Sequence, residues 1–169
     1  MGERDVVFLV GFMGSGKSSV GRALATLLRA RFEDTDALVE AAAGKPIEAI
    51  FRDEGEGRFR EMEWDALRSL DGASNAVIAT GGGLFLGTAQ RAFVRRAGTS
   101  VWLDVPLEVA RSRAGDCASR PLWRTQDPIA FRAFFERRRA AYALADLRVD
   151  ASRGSAEEVA SRVRLVLNC

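Results

Sequence analysis

An α/β fold built on a parallel sheet is the architecture this sequence predicts. Three observations carry the expectation. Short apolar runs alternate with longer segments of helical period, which is the pattern of repeated βα units. A glycine-rich turn, Gly11–Gly16, joins the first apolar run to the first helical segment. A chain of 169 residues that is 47% hydrophobic can bury one full core but is too short for two ordinary domains, so one unit over residues 1–169 is expected.

The first strand is Val6–Val10, an unbroken apolar run. The helix beginning at Lys17 buries one face, because Val20, Leu24, Leu27 and Leu28 recur at helical spacing. A short strand follows near Arg31–Glu33, then helices over Asp36–Ala43 and Ile47–Arg52. Along the next helix, Arg58–Leu70, the residues Phe59, Met62, Ala66, Leu67 and Leu70 make an apolar stripe. Strands at Ala76–Thr80, Val101–Val105 and Leu147–Asp150 alternate with helices at Thr88–Arg96, Pro106–Arg113, Asp127–Leu144 and Ala156–Leu167. Gly44 and Gly98 stand at helix stops, and Pro106 suits a first helical turn. Residues 115–126 have neither period and carry two arginines and a proline. A loop of this length in a compact domain is functional or disordered, and a lid is preferred here to a plain connection.

Composition narrows the functional classes. The formal charge is +2 and only Lys17 and Lys45 are lysines, too small a basic excess to argue for nucleic acid. No apolar stretch approaches the roughly 18 residues of a membrane span, and no cleavable signal precedes the first strand. A soluble cytoplasmic protein is expected, and a monomer, since nothing resembles a dimer seam. Cys117 and Cys169 are too few for a disulfide scaffold. Histidine is absent, so a general base must be Asp, Glu, Lys or Tyr.

The chemistry is concentrated in four places. Gly11-x-x-x-x-Gly16-Lys17-Ser18, after an apolar strand and before an amphipathic helix, is the full phosphate-loop pattern. Backbone N–H groups of Gly14, Ser15, Gly16 and Ser19 converge on phosphate oxygens, Lys17 reaches the outer phosphates, and the Ser18 hydroxyl ligates Mg²⁺. A nucleoside triphosphate ligand follows. Next, Asp34-Thr35-Asp36 ends the second strand at the sheet edge where open α/β folds bind ligands. On extended backbone its two carboxylates point one way and Thr35 the other, one serving the metal and one the acceptor hydroxyl; helix capping by either Asp is the plain alternative. Third, Arg60 and Glu63 lie one helical turn apart beside the apolar stripe, an arrangement a surface ion pair would also give. Last, Gly81-Gly82-Gly83 closes the third strand, allowing backbone to approach a ligand, or making only a flexible turn.

The ordered set GFMGSGKSS, Asp34-Thr35-Asp36, Ile50-Phe51-x-x-x-Gly55-Glu56-x-x-Phe59-Arg60-x-x-Glu63, Gly81-Gly82-Gly83 and Ser119-Arg120-Pro121-Leu122 resembles shikimate kinase over roughly residues 5 to 150. The resemblance implies a P-loop kinase fold of the nucleoside-monophosphate-kinase type, with a five-stranded parallel sheet, a substrate-binding helical region at about 36–70 and a mobile lid at about 115–126. It implies transfer of the γ-phosphoryl group of ATP, with Mg²⁺, to the 3-hydroxyl of shikimate in aromatic amino-acid biosynthesis. Carried over by motif, Lys17 and Ser18 serve phosphates and metal, and Asp34 supports the metal. Asp36 orients the hydroxyl and acts as base. Arg60, with the Gly81–Gly83 backbone and Glu63 behind it, holds the shikimate carboxylate. Arg120 reaches the transferring group from the lid, while Arg113 and Arg153 flank the adenine. A second carboxylate-binding arginine lies four residues before a tyrosine. Counting back from Tyr142 gives Arg138, flanked by Arg137 and Arg139; Ala140 and Ala141 stand where the family usually reads a proline, and the stretch after Tyr142 is one residue short.

Two rival readings remain. A gluconate kinase shares the phosphate loop but not Asp34-x-Asp36, Phe59-Arg60-x-x-Glu63 or the glycine triplet. A non-catalytic nucleotide-binding module is opposed by the intact Lys17, Ser18, Asp34, Asp36 and Arg120.

Overall fold

The computed structural model describes residues 6–114 and 127–168. Five strands, β1 (Val6–Val10), β2 (Arg31–Asp34), β3 (Ala76–Ala79), β4 (Thr99–Asp104) and β5 (Leu147–Asp150), form one parallel sheet in the order β2-β3-β1-β4-β5. Every residue of the central strand, Val-Val-Phe-Leu-Val, is buried, as expected where helices cover both faces of a parallel sheet. The edge strand β2 is mostly half-buried, which matches its polar Arg-Phe-Glu-Asp sequence.

Seven helices accompany the strands among the described residues: α1 (Lys17–Leu28), α2 (Thr35–Ala43), α3 (Ile47–Arg68), α4 (Thr88–Ala97), α5 (Leu107–Ala114), α6 (Pro128–Tyr142) and α7 (Ala156–Leu167). A short 3₁₀ turn, Leu84–Leu86, follows the glycine triplet. Phe8, Leu9, Leu24, Val77, Ile78 and Leu103 are fully enclosed in the core around the sheet; each such side chain contributes about 1.5–3 kcal/mol of burial energy. Val39, Ile50, Phe59 and Ala66 form a second, smaller core between α2 and α3.

Three local features depart from the sequence-based expectations. Asp34-Thr35-Asp36 is not extended throughout: α2 already begins at Thr35, and Asp34 caps it by accepting a hydrogen bond from the Asp36 N–H at 3.0 Å. The cap is favourable because it satisfies a first-turn donor. The two helices expected at 47–52 and 58–70 are one run, Ile47–Arg68, broken at Gly55 (φ 83°, ψ 174°). That backbone geometry is essentially confined to glycine. Gly98 ends α4 in an extended conformation rather than the left-handed one that Gly44 adopts after α2.

Register places the chemistry. Leu9 of β1 lies opposite Ala79 of β3, and Asp34 of β2 lies opposite the same Ala79. The phosphate loop after β1, the acidic pair at the end of β2 and the glycine triplet after β3 therefore all leave the sheet along one edge, at the carboxyl ends of the strands.

Candidate active site

The phosphate loop depends on glycine at a position where nothing else fits. Gly14 has φ 78°, and a Cβ built on it would lie 2.3 Å from the carbonyl oxygen of Ala110. The loop delivers the chain into α1 with no side-chain cap and no acidic residue in the first turn. No carboxylate of its own competes for that helix start, and the helix dipole there favours an external anion. Contrast α7, whose first turn is closed by a full capping box between Ser155 and Glu158. Lys17 folds back on the loop, its Nζ donating to the carbonyls of Gly11 and Phe12 at 2.9 Å each. Ser15 is fully buried and its Oγ has no hydrogen-bond partner. Ser18 Oγ donates to Asp34 Oδ2 at 2.6 Å. A hydroxyl and a carboxylate oxygen so placed beside a phosphate loop are hard donors that suit Mg²⁺. Among the described residues no cluster of three or more Asp, Glu, His or Cys could cage a metal, so phosphates and water would have to complete its coordination.

A cavity of about 310 Å³ opens beside the loop, and Asp36, Arg60, Glu63, Gly82, Gly83 and Arg138 all line it. The glycine triplet lets these groups approach. A Cβ on Gly81 would lie 2.6 Å from Asp36 Oδ1 and 2.5 Å from Glu63 Oε1, and one on Gly83 would lie 2.2 Å from Arg60 Nη1. Gly81 N–H donates to Thr35 Oγ1 at 2.8 Å, so the residue between the two aspartates fastens the glycine turn.

Arg60 Nη1 meets Glu63 Oε2 at 2.7 Å and Nη2 meets Glu56 Oε1 at 3.2 Å. Glu63 is only 4% exposed; burial holds its carboxyl above the ordinary glutamate range, with Arg60 opposing and Asp36 adding to the rise. Arg138 is likewise buried. Its guanidinium stacks 4.2 Å from the Phe134 ring centroid, and Nη1 donates to the Gly82 carbonyl at 3.1 Å. Burial lowers its pKa, offset in part by Tyr142, and Nε is buried without a partner. Of its neighbours, Arg137 is exposed and Arg139 pairs with Asp104 Oδ2 at 3.1 Å. Among the three, only Arg138 reaches this cavity.

Two further cavities continue the line. One of about 250 Å³ is lined by Gly14, Gly16, Lys17, Ser18, Ser19 and Asp34, and shares Met13, Asp36 and Gly82 with the first. Another, of about 390 Å³, lies between the loop and the start of α7 and shares Gly14, Gly16, Ser19 and Arg113 with the second. Arg113 is fixed by donating to the carbonyls of Ala151 and Ser152 at 2.7 and 3.0 Å. Arg153 does not join it: its side chain is exposed and lines none of these cavities. Arg120 and the expected lid at 115–126 lie outside the described residues.

Sequence reasoning passed over part of the wall. Met13, Ile47, Phe51 and Phe59 line the first cavity, but none has a site role from sequence. Met13 and Phe51 stand inside motifs valued for their polar members, and Phe59 reads as part of an apolar stripe and does serve the smaller core. Glu40 and Glu48 line it too. An available sign was the number of carboxylates within one turn of these aromatics.

Sheet order, phosphate loop and the row of cavities along one edge define a P-loop kinase. Comparison with known proteins narrows the class. A sequence model of the shikimate kinase family matches residues 13–168. The shikimate kinase of Geobacter sulfurreducens is 47% identical over 95% of this chain and 88% of its own. Among solved structures, shikimate kinase from Aquifex aeolicus superimposes with a TM-score of 0.87 at 37% identity over 96% of both chains. That of Acinetobacter baumannii, in complex with shikimate, gives 0.91 at 34% identity, covering 96% of this chain and 93% of that one. The chain belongs to the shikimate kinase family, and it is an ATP-dependent enzyme of that family.

Proposed function

We propose that the protein transfers the γ-phosphoryl group of Mg²⁺-bound ATP to the 3-hydroxyl of shikimate. The observation that carries the reading is the first cavity, in which two guanidinium groups and one aspartate share a wall with the phosphate loop. Arg60 and Arg138 are planar forks suited to a carboxylate, and both are pre-oriented, one by Glu63 and one by Gly82 and Phe134. A monocarboxylate bound there lies within reach of Asp36, so the ring hydroxyl beside it faces the loop.

In-line transfer needs positioning and charge stabilisation more than covalent help. The acceptor oxygen attacks the γ-phosphorus, the bond to the bridging oxygen breaks, and ADP leaves. Asp36 orients the attacking hydroxyl and takes its proton. Lys17 exchanges its contacts with the Gly11 and Phe12 carbonyls for phosphate oxygens. Ser18 and Asp34 would hold Mg²⁺, which supplies charge neutralisation at the phosphates. Glu63 orients Arg60, Arg113 meets the base end of the nucleotide, and Arg120 keeps the role the family resemblance implies.

The test is ADP release from ATP and Mg²⁺ with shikimate, quinate, gluconate or no acceptor. Release that requires shikimate supports the proposal. Release with gluconate alone overturns the acceptor, and no release with any acceptor, from folded ATP-binding protein, overturns the catalytic reading.

A further inference from the structure

Tyr142, the only tyrosine of the chain, ends α6 with 1% of its surface exposed. Its ring packs against Trp102 with centroids 6.4 Å apart. Its hydroxyl donates to the carbonyl oxygen of Gly82 at 2.5 Å. Arg138, one helical turn earlier on the same face of α6, donates to that same oxygen at 3.1 Å.

The glycine turn is thus fastened at two points: the Gly81 N–H to Thr35 and the Gly82 carbonyl to Tyr142. The same turn sets the approach of both guanidinium groups, since Arg60 packs on Gly83 and Arg138 on Gly82. We infer that Tyr142 is a positioning residue for the acceptor: its hydroxyl fixes the Gly82 carbonyl and thereby the separation of Arg60 and Arg138. The inference rests on the reading of the first cavity as the shikimate site. Burial pushes the Tyr142 hydroxyl up to about 12, with Arg138 opposing, so it keeps its proton and remains a donor throughout the neutral range. Removing it leaves Arg138 as the one described donor on Gly82 and frees the turn to shift. A carboxylate clamp is sensitive to such a shift, since a displacement of about 1 Å costs up to 10²-fold in a positioned site.

Tyr142→Phe keeps the ring in the core and deletes only the hydroxyl. Steady-state ADP release should give a shikimate KM raised about tenfold, with the ATP KM changed less than about twofold. A purely structural tyrosine would lower the melting temperature and leave that split absent. An unchanged shikimate KM in the variant, with a shikimate-dependent wild type, overturns the inference alone; a wild type with no shikimate dependence overturns the acceptor reading and the inference with it. Independently of the variant's folding, wild-type protein grown on 3-fluorotyrosine carries one ¹⁹F probe, at this ring. Its resonance should move as shikimate saturates the protein, and a resonance that stays fixed would count against Tyr142.

Discussion

Arg137, Arg138 and Arg139 are chemically identical neighbours, and helix rotation alone gives them different work. Arg138→Ala should raise the shikimate KM on the order of 10- to 100-fold, the loss expected for hydrogen bonds to a charged partner. Arg137→Ala should change nothing, and Arg139→Ala, which breaks the pair with Asp104, should lower the melting temperature with little effect on KM. Equal losses in all three would show that the assignment by placement is wrong. Asp36→Asn should lower kcat by about 10²- to 10⁴-fold, the range for a lost general base, with unchanged far-UV circular dichroism; near-normal turnover would remove Asp36 as base. The polar members of the site were legible because Lys17, Asp36, Arg60 and Glu63 sit in spaced motifs. Which of three adjacent arginines turns inward was not, because it depends on where α6 lies over Phe134 and Gly82. Arg153, matched by the same resemblance, is exposed beside Gly154, which lines the third cavity.

At the scale of elements, α3 depends on the break at Gly55. There the run turns so that Phe51 and Phe59, on either side, come together with ring centroids 4.6 Å apart, and Glu56 reaches Arg60. Gly55→Ala should cost about 1–3 kcal/mol, the usual strain of a non-glycine residue in such a backbone region. Urea denaturation measures it, and an unchanged midpoint with an unchanged slope would mean that the break is not needed. The apolar strands and the capped, periodic helices were readable from sequence because burial on both faces demands them. The joins were less so: Gly55 lay between two separate helical segments in the sequence reading, and α2 begins earlier than expected because the Asp34 carboxylate reaches back to the Asp36 N–H.

For the molecule as a whole, stability carries the signature of Glu63. Its pKa is raised in the fold, chiefly by burial, so the folded state holds that proton more tightly than the unfolded chain does. The corresponding stabilisation is complete below the ordinary glutamate value and is lost as the pH rises through the folded value. In Glu63→Gln the titration is absent. The stability of wild type relative to this variant should therefore be greatest in mild acid and decline towards neutrality, as urea midpoints across that range would record. A difference that grew with pH would mean that the Arg60 pair, and not burial, governs this carboxylate. The motif order along the chain already indicated one edge of one sheet. That the cavities share walls was hidden, because Met13, Asp36 and Gly82 meet only through the register of β1, β2 and β3.

That shared wall divides the molecule's freedom to change. Gly82 lines both the first cavity and the second, so a side chain added there would face both at once. Ile47, Glu48 and Phe51 of the first cavity belong instead to the start of α3, where Ile47 and Phe51 pack on the smaller core. Under the function proposed above, variation along that rim retunes which small acid is accepted while the nucleotide half stays intact, and a library built there samples new acceptors without rebuilding the engine.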